Sequence, residues 1–144
     1  MTRKYLISII IIAIATAYAD DNDETYINVS LLPIYQQECG SCHIAYPAGM
    51  LPSISWQQIM TSLQKHFGSD ASLDPTIISK ISSWLTTNAS KKINTPPENR
   101  ITRTKWFIHE HQEINNSVWQ RLDIRNASNC SACHTKATQG QYGK

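Results

Sequence analysis

Apolar residues recur along this chain in three patterns: one unbroken run at the start, helical spacing through the middle, and short amphipathic pieces towards the end. The unbroken run, Leu6 to Ala15, follows Arg3 and Lys4 and is closed by Ala17-Tyr18-Ala19. A basic start, an apolar stretch too short to span a bilayer comfortably and a small-x-small close make a secretory signal, so residues 1–19 are expected to be cleaved off before Asp20. Retention as a membrane anchor is the competing reading. The acidic run Asp20-Asp21-Asn22-Asp23-Glu24 then becomes a solvated new N-terminus.

Beyond it the periodicity is helical. Leu31, Leu32, Ile34 and Tyr35 lead into Cys39, and Pro33 suits the first turn of a short helix. Ala45 to Pro52, punctuated by Pro47, Gly49 and Pro52, predicts a loop. From Ser55 a longer helix is expected: Ser55 and Gln58 make a capping box, Ile59, Leu63 and His66 fall on one face, and Gly68 supplies the stop. Asp74-Pro75 is an N-cap and first-turn pair ahead of Ile77, Ile78, Ile81, Trp84 and Leu85, with Asn88-Ala89-Ser90 at the far end. Thr95-Pro96-Pro97-Glu98 reads as an extended, stiff linker, dividing the chain after its leader into units 20–95 and 96–144.

The second unit begins a helical stretch near Lys105. On it Phe107, His111, Ile114 and Val118 share a face, whereas His109, two positions before His111, lies about 200° round the helix from it. His111 is therefore expected to be buried and His109 to face solvent. A turn over Asn126 to Asn129 and a short polar tail from Gln139 complete a mainly α chain.

Charge adds little. The chain has 13 Lys and Arg against 11 Asp and Glu, and two of the basic residues, Arg3 and Lys4, belong to the leader. The mature chain is formally neutral, which gives no argument for a nucleic acid or a membrane surface as partner.

The cysteines change the picture. All four stand in two copies of CxxCH: Cys39-Gly40-Ser41-Cys42-His43 and Cys130-Ser131-Ala132-Cys133-His134. Two thiols three positions apart can form thioethers to the two vinyl groups of a haem, and the following His then lies beneath the iron. Two disulfides or a zinc site could also use four cysteines, but neither needs His43 and His134, and zinc-binding pairs rarely stand as far apart as Cys42 and Cys130. Two covalent haem c groups are thus expected, and in so short a chain they would form much of the hydrophobic interior.

Five histidines exist, and three of them, His66, His109 and His111, are left for the distal sides. Methionine is the usual competitor, yet after the leader only Met50 and Met60 occur, both in the first unit. His66 follows His43 by 23 residues and His111 precedes His134 by 23. Local pairing is the simplest arrangement; cross-pairing between units is the alternative, with Met60 a weaker candidate for the first iron. Four His ligands would leave no open iron position, which points to an electron carrier. A small di-haem peroxidase or reductase, or a gas-binding haem sensor, would need one vacancy.

With these residues in place the chain resembles the bacterial periplasmic di-haem cytochromes c of the DHC family. The resemblance runs from Cys39–His43 through Tyr46-Pro47, Leu51-Pro52, Trp56, His66-Phe67-Gly68 and Ala71-Ser72-Leu73-Asp74 to Arg100-Ile101-Thr102, Trp106-Phe107, His111 and Asn129-Cys130. It implies a first half like class I cytochromes c, a second half wrapped around the other haem, and iron held by His43, His66, His111 and His134. It also implies a periplasmic electron carrier between a membrane b-type cytochrome and a high-spin, oxygen-binding c-type haem protein; family members often continue past the region of Gly140-Gln141-Tyr142, so this chain is expected to stop early beside them.

Overall fold

The computed structural model describes residues 30–143; the expected leader and the acidic run after it lie outside the described residues. Among the described residues the regular structure is helical, with two isolated bridges, Pro52 to Ser90 and His66 to Ser69. No helix among them is long and apolar enough to cross a membrane.

Helix α1 spans Pro33–Cys39 with its proline in the first turn, as the sequence predicts. Helix α3, Pro75–Thr87, also matches its end signals: the Asp74 carboxylate accepts from the backbone N–H of Thr76 at 2.8 Å, and Asn88 caps the other end. Its stripe faces inward, with Ile81 and Leu85 wholly buried.

Helix α2 departs from expectation. It spans Ser53–Met60, begins after Pro52 and ends well short of Gly68. The capping box does not form, and Ser55 is buried with an unpartnered hydroxyl. The early stop has a local cause: Thr61 Oγ1 donates to the Gln57 carbonyl at 2.9 Å and Ser62 Oγ to that of Gln58 at 2.7 Å, in competition with the backbone ladder. A 3-10 turn at Leu63–Lys65 follows, and then left-handed Phe67 and Gly68, at φ 50° and 101°.

Packing of α2 on α3, with α1 alongside, builds the core from Tyr35, Leu51, Trp56, Met60, Leu63, Ile81 and Leu85. Polar ends inside it are satisfied: Trp56 Nε1 donates to the Ala48 carbonyl at 2.7 Å and the Tyr35 hydroxyl to the Tyr46 carbonyl at 2.8 Å.

The expected linker is extended only to Pro96. Pro97–Asn99 is a 3-10 turn with Glu98 and Asn99 left-handed, and the Glu98 carboxylate meets both Arg100 and Arg103 at 2.9 Å. The helical stretch after it is also shorter than its apolar period: α4 covers Lys105–Glu110, and α5, Asn116–Trp119, starts afresh at an Asn115 cap. Beyond Ile101 the buried apolar residues are Phe107, Ile124 and Ala137. So few side chains cannot make a core for this part of the chain, which needs another apolar group to fold around.

Candidate functional site

Each CxxCH is presented by a helical turn. In the first, α1 ends at Cys39 and the N–H of Gly40 donates to the Gln36 carbonyl at 3.0 Å. A Cβ at position 40 would collide with that carbonyl oxygen, so glycine is needed for the chain to close beneath the motif. In the second, the N–H of His134 donates to the Cys130 carbonyl at 2.8 Å, bending Cys130–His134 into a turn. None of the four cysteines is in a disulfide: Cys39 and Cys130 are half-buried, Cys42 and Cys133 exposed. Among the described residues no group of three or more His, Cys, Asp or Glu is arranged to hold a bare metal ion.

The histidines come together in two pairs, both local. The rings of His43 and His66 have centroids 6.0 Å apart and planes 15° from parallel. Those of His111 and His134 are 6.1 Å apart at 82°. His66 reaches its place by a different path from the one its spacing predicts. It closes the 3-10 turn after α2 and does not extend the α2 face. His109 is exposed, as expected, whereas His111 is half-buried, because α4 ends at Glu110 and His111 caps it in place of lying on a continued helical face. Met50 and Met60 are both buried, Met60 within the core.

Surrounding groups fix these rings. His43 Nδ1 lies 2.7 Å from the Ile44 carbonyl and His111 Nδ1 2.8 Å from that of Phe107, while His134 bonds backbone groups of Tyr142 and Gly143. An imidazole that gives its Nδ1–H to a carbonyl keeps Nε2 as a lone-pair donor, the usual state of a metal-bound histidine. Burial, with the neighbouring His43 adding to it, lowers the pKa of His66; burial and then His111 lower that of His134. Both causes favour the neutral ring that a metal requires.

Aromatic neighbours complete the setting. Tyr46 stacks on His43 at 5.0 Å, Phe107 on His111 at 4.1 Å, and Tyr142 meets the edge of His134 at 5.7 Å. Tyr142 belongs to the stretch read as a polar tail, and an isolated tyrosine within it was the available signal. Phe107 stood four residues before His111, a legible helical neighbour.

One cleft of about 400 Å³ joins the two motifs, lined by Cys42, His43 and Tyr46 on one side and by Arg125, Ser128 and Cys130 on the other.

The residues present fit haem in three ways. Imidazoles bound on opposite sides of a metal at about 2 Å each have centroids about 6 Å apart, as both pairs do. The second half lacks an apolar core of its own. Trp106 Nε1 and the Tyr142 hydroxyl are buried donors without partners, suited to the carboxylates that a haem carries.

Comparison with known proteins agrees. The family model for dihaem cytochrome c, DHC, matches residues 35–142. The crystal structure of DHC from Rhodobacter sphaeroides is 40% identical with a TM-score of 0.69, covering 78% of this chain and 97% of that one. Little of that relative extends past the match. The dihaem cytochrome c of Shewanella baltica OS155 is 38% identical, TM-score 0.70, with 77% and 86% of the two chains covered. No curated protein matches the sequence.

Proposed function

Because the chain belongs to the dihaem cytochrome c family, with two covalently bound haem c groups and haem-based electron transfer as its business, we propose that it is a periplasmic electron carrier with two bis-histidine, low-spin irons. Cys39 and Cys42 hold the first haem by thioethers, with His43 below the iron and His66 above. Cys130 and Cys133 hold the second, between His134 and His111. Units 20–95 and 96–144 thus each supply both axial ligands of one haem.

The observation that carries this reading is the pairing of the rings, His43 with His66 and His111 with His134, at separations that suit one metal between each pair. Haem supplies the one-electron couple when bound. The protein supplies the ligands, orients His43 and His111 through the backbone carbonyls on Nδ1, and by burial favours the neutral ring at His66 and His134. With both axial positions filled by protein, oxygen, peroxide and other small ligands find no vacancy, and two imidazoles hold the potential lower than a His/Met pair does. Export rests on the leader at residues 1–19. The partners proposed are a membrane b-type cytochrome as donor and a high-spin, oxygen-binding c-type haem protein as acceptor, as the family resemblance implies.

Electron paramagnetic resonance of the oxidised protein tests the ligation. Near-parallel imidazole planes at the first iron and near-perpendicular planes at the second split the iron d orbitals differently. The expected result is two low-spin signals of unequal anisotropy. A high-spin signal from either iron would contradict the proposal.

A further inference from the structure

Tyr46 links the first haem-binding motif to the turn that leads into the second. Its ring stacks on His43, with centroids 5.0 Å apart and planes at 23°. Its hydroxyl donates to the Ser128 carbonyl at 2.7 Å, across 82 positions of sequence. That same carbonyl accepts the backbone N–H of Cys130 at 3.0 Å, so a single oxygen ties Tyr46 to the first cysteine of the second motif. At its other end Tyr46 is anchored: its own carbonyl accepts the hydroxyl of Tyr35, a buried core residue. A continuous chain therefore runs from the core, through the stacked partner of His43, to the turn that presents Cys130.

From this arrangement we propose that Tyr46 is a positioning residue that holds the two haem sites at a fixed separation and so sets the redox interaction between them. The inference rests on the two-haem carrier reading above. The charge that one iron gains or loses acts on the other with an energy that falls inversely with distance, and a cleft shared by both motifs places the two titrations within reach of each other. A joint free to open would lengthen the mean separation and weaken that interaction. The second half, with little core of its own, has few other means of holding its place against the first.

The test uses the mature protein with both haems attached and two variants. Tyr46→Phe keeps the ring on His43 and removes only the hydroxyl; Tyr46→Leu removes both. Each is followed by a spectroelectrochemical titration and by the magnetic broadening that one ferric iron imposes on the other. Tyr46→Phe should narrow the gap between the two midpoint potentials and reduce the broadening, with two low-spin haems still in place. Tyr46→Leu should do both and also shift the potential of the first haem. A Phe variant with the wild-type gap and broadening overturns the role of the hydroxyl, and so does a wild-type protein whose irons show no mutual effect. Failure of the carrier reading looks different: the wild-type protein itself would carry a high-spin or ligand-accepting iron.

Discussion

On the proposed ligation, His111 at the end of α4 holds iron and His109, two positions before it, does not. His111 caps the helix against Phe107, with its ring 6.1 Å from that of His134, while His109 is exposed. Replacing His111 by Ala should convert one haem to a five-coordinate or water-bound high-spin form, about half of the visible spectrum, and open it to carbon monoxide. His109→Ala should keep both low-spin signals and cost no more than about 0.5 kcal/mol in chemical denaturation. Thr104 is a second residue with a defined task. It is 2% exposed, its Oγ1 accepts from the Phe107 N–H at 3.2 Å and donates to the Ile101 carbonyl at 2.7 Å. Thr104→Ala removes the N-cap of α4 and leaves the buried Phe107 N–H without its partner, an expected loss of about 1–2 kcal/mol in the same measurement.

At the level of elements, α3 shows how pH enters stability. The Asp74 carboxyl, at the exposed start of the helix, is held below its usual range, first by the Thr76 hydroxyl and then by the Thr76 N–H. A depressed folded pKa means that the unfolded chain binds the proton more readily. The contribution is thus complete above the ordinary aspartate value near about 4 and is lost as pH falls through the folded value. Asp74→Asn keeps a capping oxygen but cannot titrate. Stability of the wild type relative to this variant should decline on acidification below about pH 4 and stay level above pH of about 5. An unchanged difference across that range would show that the cap carries no charge-dependent part.

Elements also show what the sequence made legible. The ends of α1 and α3 were readable because proline and Asp-Pro act locally, through fixed φ and a capping oxygen. The end of α2 was not, because an apolar period counts Ile59 and Leu63 but does not see the hydroxyls of Thr61 and Ser62 reaching back to the preceding turn. His66 was singled out from a face that it does not occupy; what brings it to His43 is a 3-10 turn followed by left-handed Phe67 and Gly68. The Pro97–Asn99 turn was hidden for a related reason: Glu98 takes a left-handed conformation beside Arg100 and Arg103, nearby ion-pair partners that a reading of the prolines as a stiff linker does not count. The two motifs needed no folding argument, since their chemistry lies in adjacent residues. The contact of Tyr46 with the Ser128 carbonyl could come only from tertiary structure, and for Tyr142 beside His134 the sequence offered no more than an isolated tyrosine in a polar stretch.

Across the whole molecule, the first half builds a conventional core and the second does not. With its own haem in place the second half would acquire the apolar interior that Phe107, Ile124 and Ala137 alone cannot supply. On the proposed ligation the axial positions are also filled from within the chain. Carbon monoxide added to the fully reduced protein tests this most directly, because it binds ferrous haem wherever an axial position is vacant or easily vacated. The account predicts that the reduced spectrum of both haems stays low-spin and unchanged at saturating gas. Formation of a carbon monoxide adduct at either haem in the unmutated protein would contradict it.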